Sequence, residues 1–87
     1  MPEVTIYSTA FCPYCVRAKA LLDSKGVSYR EIRVDQDHAQ MRVMIERSRR
    51  RTVPQIFIDS HHVGGYDDLA ALDRAKRLDP LLQGLAG

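Results

Sequence analysis

Apolar and polar positions alternate over Val4-Thr5-Ile6-Tyr7, which predicts a first β-strand. Ser8, Thr9 and Ala10 then turn the chain into a segment of different period. From Pro13 to Lys25, Ala18, Leu21 and Leu22 fall at i, i+3 and i+4, and Val16 with Ala20 widens the stripe. This predicts a helix, with Lys25 in its last turn and Gly26 as its C-terminal stop. Val27 to Val34 reads as a second strand whose parity slips: Val27 and Tyr29 share one phase, Ile32 and Val34 the other. A bulge, or a strand that starts later than Val27, accounts for the slip.

Asp35, Gln36 and Asp37 supply helix-start residues. A second helix is predicted from about His38 to Ser48, with Met41, Met44 and Ile45 on its apolar face and an arginine-rich exit, Arg47 to Arg51. Gln55 to Asp59 is a short β-prone run, Ser60-His61 a turn, and His62-Val63 a brief returning strand. After Gly64-Gly65 a third helix begins near Asp67 or Asp68, burying Leu69, Leu72 and Ala75. Leu78 to Leu85 forms a last turn packed by leucines. The order β-α-β-α-β-β-α contains two strands joined by helical crossovers and then a hairpin. It predicts an α/β fold with a four-stranded mixed sheet flanked by helices.

Composition narrows the function. Eighty-seven residues are too few for two independent cores, so residues 1–87 are expected to form one domain. A net charge of +2 is too small to make nucleic acid the principal partner. No apolar run is long enough to span a bilayer, and the first residues lack a signal-peptide core. The expectation is a cytoplasmic protein with no membrane or nucleic-acid partner.

The chain has two cysteines, Cys12 and Cys15, spaced C-x-x-C between the first strand and the first helix. A bridge between them would close a very short loop and remove little entropy from the unfolded chain, so stabilisation is not its purpose. At a helix start, unpaired N–H groups and the helix dipole favour a thiolate over a thiol. Such placement brings thiol pKa values from about 8.5 toward ~3.5–7.5. Pro13 fits the first helical position, where no intrahelical N–H bond is lost. Cys12 precedes the helix and can meet its N-terminal N–H groups, which marks it as the nucleophile, whereas Cys15 is drawn into the first turn and shielded. In a cytosolic chain, C-x-x-C beside a βαβ pattern is a thioredoxin-like redox motif. The alternatives are inert buried thiols, or half a zinc site completed by His38, His61 and His62, which lack the usual ligand spacing.

Three segments in order, Cys12-Pro13-Tyr14-Cys15, Thr52-Val53-Pro54 and Gly64-Gly65-Tyr66-Asp67-Asp68-Leu69, resemble the signatures of the dithiol glutaredoxins of C-P-Y-C type, in their short bacterial form. The resemblance spans roughly the whole chain. It implies a thioredoxin fold and a glutathione-dependent thiol–disulfide oxidoreductase, with glutathione as reducing co-substrate and no tightly bound cofactor or metal. Its partners are glutathionylated or disulfide-containing proteins, and the protein is a monomer. It assigns Cys12 as nucleophile and Cys15 as the thiol that resolves mixed disulfides. It also implies a cis bond before Pro54 that turns the Val53 backbone toward a bound cysteinyl peptide.

By the same resemblance, glutathione is held by Tyr14, Thr52, Val53, Pro54, Gly65, Tyr66, Asp67 and Asp68. N–H groups at the third helix start suit its γ-glutamyl carboxylate, and the aspartates suit its ammonium. Arg49 or Arg51 is the candidate cation for its glycine carboxylate; otherwise the arginine run is a solvated, dipole-complementing surface. Three positions depart from the family pattern. Thr9 stands where relatives often carry lysine, Phe11 where a small or polar residue is common, and Tyr66 where relatives often have an additional cysteine. Two rival readings remain at this point: a donor reduced by thioredoxin reductase, which has no need for the aspartate pair, and a glutathione-bridged iron–sulfur carrier, against which Pro13 weighs.

Overall fold

A computed structural model describes residues 2–84. Strand β1 (Val4–Ser8) leads into helix α1 (Pro13–Ser24), strand β2 (Arg30–Arg33) and helix α2 (His38–Ser48). The hairpin β3 (Gln55–Ile58) and β4 (His61–Gly64) follows, then α3 (Tyr66–Arg74) and the short α4 (Leu78–Leu82). The sheet order is β2-β1-β3-β4, with β1 parallel to β2 and antiparallel to β3. This is the predicted mixed sheet in a thioredoxin fold. Leu85, placed by the sequence reading in the last turn, lies outside the described residues.

The two central strands are buried on both faces. Val4, Ile6, Ile56 and Ile58 point to one side, where they meet Ala18 and Leu22 of α1, Leu69 of α3, and Leu78 and Leu82 of α4. Tyr7 and Phe57 point to the other, against Val34 and Met44 of α2's side. Each fully buried aliphatic or aromatic side chain contributes roughly 1.5–3 kcal/mol, so the sheet centre is the rigid frame. The cysteines follow directly from its middle strand.

The parity slip resolves as a late start. Strand β2 begins at Arg30, and Val34 joins the sheet edge through its N–H to the Ser8 carbonyl at 3.0 Å. Helix α2 has the predicted bounds, with the Asp37 carboxylate accepting from the N–H groups of Ala39 and Gln40. Three helix-face expectations need correction. Val16 and Ala20 are exposed, because Cys15, Ala18 and Leu22 form the buried stripe of α1. Ala75 is exposed at the C-cap of α3, where the helix has already ended. Helix α3 itself starts at Tyr66, with Gly65 as its cap.

Candidate active site

Cys12 caps α1. Its backbone is extended, and its Sγ accepts a hydrogen bond from the Cys15 N–H at 3.1 Å, so the sulfur occupies the place of a capping oxygen. Pro13 occupies the first helical turn without forfeiting a bond. One turn in, Cys15 is only 1% exposed, whereas Cys12 is partly open to solvent. Burial first, and then the neighbouring Cys12 sulfur, push the Cys15 thiol up to about 12. At neutral pH Cys15 therefore keeps its proton. Both cysteines are free thiols.

Across from Cys12 stands Val53, whose carbonyl lies 3.8 Å from Cys12 Sγ. The Val53–Pro54 bond is cis. Residues 52–54 are braced from behind by Gln55, which is fully buried. Its Nε2 donates to the Thr52 carbonyl at 2.9 Å and to Thr52 Oγ1 at 3.2 Å. With both amide protons directed there, Oε1 is the acceptor for His62 Nε2–H at 2.8 Å. Burial, and then the positive charge of Arg50, hold His62 below its ordinary pKa, consistent with a neutral ring in this pair. His62 also stacks on Phe57, 4.9 Å between centroids. The loop opposite the sulfur therefore rests on satisfied buried polar groups.

The start of α3 completes one wall. Gly64 has φ of +116°, and a Cβ there would collide with the Asp68 carboxylate. Asp68 reaches back to accept from the Gly65 N–H at 3.0 Å and from Arg50 Nη1 at 3.1 Å, both on Oδ2. These donors hold the Asp68 carboxyl below the usual carboxylate range, the Gly65 N–H contributing most. N–H groups of the first turn have no intrahelical partner. Tyr14 is 52% exposed, and its ring lies 6.3 Å from that of Tyr66 in a stacked arrangement.

Together these parts line a groove of about 210 Å³. Tyr14, Thr52, Val53, Pro54, Gly65, Tyr66, Asp67 and Asp68 all border it. Two further residues, Arg50 and Gln55, border it as well. The arginine at the groove is thus Arg50, in place of the expected Arg49 or Arg51. Arg49 takes a left-handed conformation, φ 62°, as the C-cap of α2, and the next residue turns toward Asp68. Only one sequence signal pointed there, the arginine run itself. Among the described residues, no group of three or more His, Cys, Asp or Glu side chains is placed to hold a metal ion, and no helix is long and apolar enough to cross a membrane.

Comparison with known proteins agrees with this geometry. Residues 4–63 match the family model described as Glutaredoxin. The chain is 59% identical over 83 residues to Glutaredoxin 3 of Escherichia coli K12, covering 95% of this chain and all of that protein. The solution structure of glutaredoxin from Brucella melitensis superimposes with a TM-score of 0.83 at 52% identity, covering 94% of this chain and 89% of that one. The crystal structure of a buckwheat glutaredoxin–glutathione complex gives 0.88 at 32% identity, covering 97% and 79%. A dithiol at a helix start, a braced loop opposite it and matches of this length lead to one assignment. The chain belongs to the glutaredoxin family and is a glutathione-dependent thiol–disulfide oxidoreductase with a C-x-x-C dithiol.

Proposed function

We infer that Cys12 is the nucleophile, that Cys15 resolves protein mixed disulfides, and that the groove from Tyr14 to Asp68 holds glutathione. The observation that carries this reading is the contrast between the two sulfurs. Cys12 is open to solvent at a helix start, while the Cys15 thiol is buried and pushed up to about 12. The attacking thiolate is therefore Cys12.

Its thiolate attacks the glutathionyl sulfur of a protein–glutathione mixed disulfide. The Cys12–glutathione bond forms, the old disulfide breaks, and the protein sulfur leaves as a thiolate that takes up a proton. A second glutathione thiolate attacks the glutathionyl sulfur on Cys12, restoring the enzyme and departing as glutathione disulfide. With a protein disulfide, the target S–S bond breaks, one target sulfur leaves and takes up a proton, and the other is bonded to Cys12. Its negative sulfur, one of the causes of the high Cys15 pKa, is then gone. Cys15 loses its proton more readily at that stage and attacks Cys12: the Cys12–Cys15 disulfide forms, the target sulfur leaves and takes up a proton, and two glutathione molecules then reduce the bridge and become glutathione disulfide.

In the groove, the γ-glutamyl carboxylate of glutathione meets the N–H groups of Tyr66 and Asp67, where the helix dipole favours negative charge. Its ammonium meets Asp67 and the Oδ1 of Asp68, since the bonds to Gly65 and Arg50 both fall on Oδ2. The cysteinyl backbone pairs with Val53 between Thr52 and Pro54, in the manner of strand addition. Tyr14 and Gly65 close the walls, and Arg50 is the cation nearest for the glycine carboxylate. Residues 1–87 act as one domain and as a cytoplasmic monomer. Glutathione is the reducing co-substrate, and no tightly bound cofactor takes part. Glutathionylated and disulfide-containing proteins are the partners.

The test is deglutathionylation of a model mixed disulfide, coupled separately to glutathione reductase and thioredoxin reductase. Cys12→Ser is expected to lose activity, and Cys15→Ser to keep it on the mixed disulfide while losing reduction of protein disulfides. Turnover should follow the glutathione system. Full activity in Cys12→Ser would reject the mechanism.

A further inference from the structure

The dithiol cycle ends at Cys15, the harder of the two sulfurs to ionise. Burial and the hydrogen bond to Cys12 raise its pKa most, and the charge on Cys12 adds to them. Acting the other way are the Thr9 backbone and the ammonium of Lys19. Once Cys12 is bonded to a target, its charge is gone. Burial is then opposed by a backbone group, which no substitution removes, and by one side chain, Lys19.

The fold places Lys19 for this. It lies four residues after Cys15 on α1. Side chains at i and i+4 share a helix face, about 5–6 Å apart at Cβ, and each leans back over the turn before it. Lys19 therefore covers the turn that holds Cys15. Arg17, the other cation of α1, goes outward instead and sits 5.4 Å from the Tyr14 ring.

The Lys19 ammonium is also fixed in place. Its Nζ lies 2.9 Å from Glu31 Oε2, and its side chain is 27% exposed. The same carboxylate oxygen accepts from Ser8 Oγ at 2.6 Å, and Ser8 is fully buried at the end of β1. The residue after Ser8 is Thr9, whose backbone meets the Cys15 sulfur. One oxygen thus ties the cation to the strand end from which Cys15 receives its backbone contact. The bond to Glu31, before any other cause, holds Lys19 above its ordinary pKa, so its charge is present wherever a thiol titrates. The charged and titratable groups around this pair are Cys12 at the cap, Glu31 and Tyr29 beside Lys19, and Asp35 with Arg33 at the Ala10 N–H. A partly exposed ion pair contributes little to stability by itself. Its effect on the neighbouring sulfur is a separate matter.

We propose that Lys19 is a positioning residue of the resolving step: its ammonium, pinned by Glu31 one turn beyond Cys15, stabilises the Cys15 thiolate while Cys12 is bonded to a target protein. The proposal rests on the roles read above for the two cysteines and adds the group that sets the rate of the second. Lys19 keeps its own proton throughout. Cys15 gives its proton to solvent, and its sulfur attacks Cys12. The Cys12–Cys15 bond forms, the bond from Cys12 to the target breaks, and the target sulfur leaves with the electron pair and takes up a proton. Exchange with a second glutathione at Cys12 does not pass through Cys15, so Lys19 acts on the dithiol route alone.

The experiment mixes reduced protein with an excess of the disulfide of thionitrobenzoate and follows the coloured thiolate from about pH 6 to about pH 10, across the range where thiols titrate. Attack by Cys12 releases one thionitrobenzoate in a phase whose rate rises with reagent concentration. Attack by Cys15 on the resulting mixed disulfide releases the other in a phase independent of it. Lys19→Gln should move the midpoint of the second phase up by roughly half to one pH unit and slow that phase about three- to tenfold at pH 7, because the thiolate fraction falls tenfold per unit below the midpoint. It should leave the first phase within about twofold of wild type, and Lys19→Arg should restore most of the second. The first phase reports an intact helix start in the same trace. A midpoint unmoved in Lys19→Gln, equal slowing of both phases, or Lys19→Arg behaving like Lys19→Gln would overturn the proposal. Cys15→Ser should show the first phase alone. If it keeps the second, the reading of Cys15 as the resolving thiol falls; if only the Lys19 effects are missing, this inference falls by itself.

Discussion

The starts of α1 and α3 meet the same physical problem and treat it in opposite ways. Each leaves first-turn N–H groups without intrahelical partners. In α1 the cap is the Cys12 sulfur, so the atom that satisfies the Cys15 N–H is also the atom we propose as the nucleophile. In α3 the cap is Gly65, which has no side chain; Asp68 folds back onto the Gly65 N–H, and no capping side chain meets the N–H groups that follow. The start of α2 gives a third case, an ordinary one. Asp37 Oδ1 accepts from Ala39 and Gln40 at 3.1 and 3.3 Å, and no chemistry follows. A helix start with a conventional oxygen cap serves the fold. One capped by a soft nucleophile, or by nothing, is available for function.

The strongest way to break this comparison, short of removing Cys12, is Gly64→Ala. Its φ of +116° lies where a side chain is strained, and the new methyl would press on the Asp68 carboxylate and come within 3.1 Å of Arg50 Nη1. The substitution should cost of order 1–3 kcal/mol in stability. It should also raise the KM for glutathione by about tenfold as the α3 start is displaced, an effect of ~1.4 kcal/mol. Urea midpoints and steady-state kinetics at saturating mixed disulfide separate the two. An unchanged KM would show that the open N–H groups of α3 do not hold the ligand.

Asp37→Ala sharpens the same comparison from the other side. Loss of an oxygen cap costs about 0.5–2 kcal/mol, so the urea midpoint should fall, while kcat/KM for a small mixed disulfide stays within about twofold of wild type. A fall in kcat/KM as large as that of Gly64→Ala would mean that α2's start also contributes to the site.

Much of this was legible in the sequence because local signals agreed with one another. Asp37 ahead of the Met41, Met44 and Ile45 stripe marked α2 to the residue, and the parity slip before Val34 correctly allowed a late β2. The misreadings have physical causes. Counting aliphatic residues put Val16 and Ala20 on the inner face of α1, but a buried thiol packs as a small hydrophobe, and Cys15 holds that position. Choosing among adjacent arginines required the left-handed turn at Arg49, which no side-chain pattern announces. Gln55 looked like one residue of a β-prone run. Its role in bracing Thr52 depends on His62, a partner seven positions away on the neighbouring strand.

The smallest predicted effect tests whether α1 depends on its cap alone or also on a clamp outside the site. Ser8 ends β1, Lys19 lies in α1 and Glu31 in β2, and Glu31 Oε2 joins them, accepting from Ser8 Oγ at 2.6 Å and from Lys19 Nζ at 2.9 Å. Ser8, and then Lys19, hold the Glu31 carboxyl below its ordinary 4.5. A carboxyl with a depressed folded-state pKa contributes its full stability above the unfolded value and loses it as pH falls through the folded one. Glu31→Gln keeps an acceptor for Ser8 but removes the charge, so it should lower stability at pH 7 by about 0.5–1 kcal/mol. That deficit should persist down to about pH 5 and shrink steadily below 4.5, where the unfolded chain and then, at lower pH, the folded wild-type carboxylate take up the proton. Urea midpoints at pH 7, 5 and 3 measure it. A deficit that stays constant with pH would remove charge from the explanation, and a parallel drop in kcat at pH 7 would mean that the clamp, as well as the cap, sets where Cys12 stands.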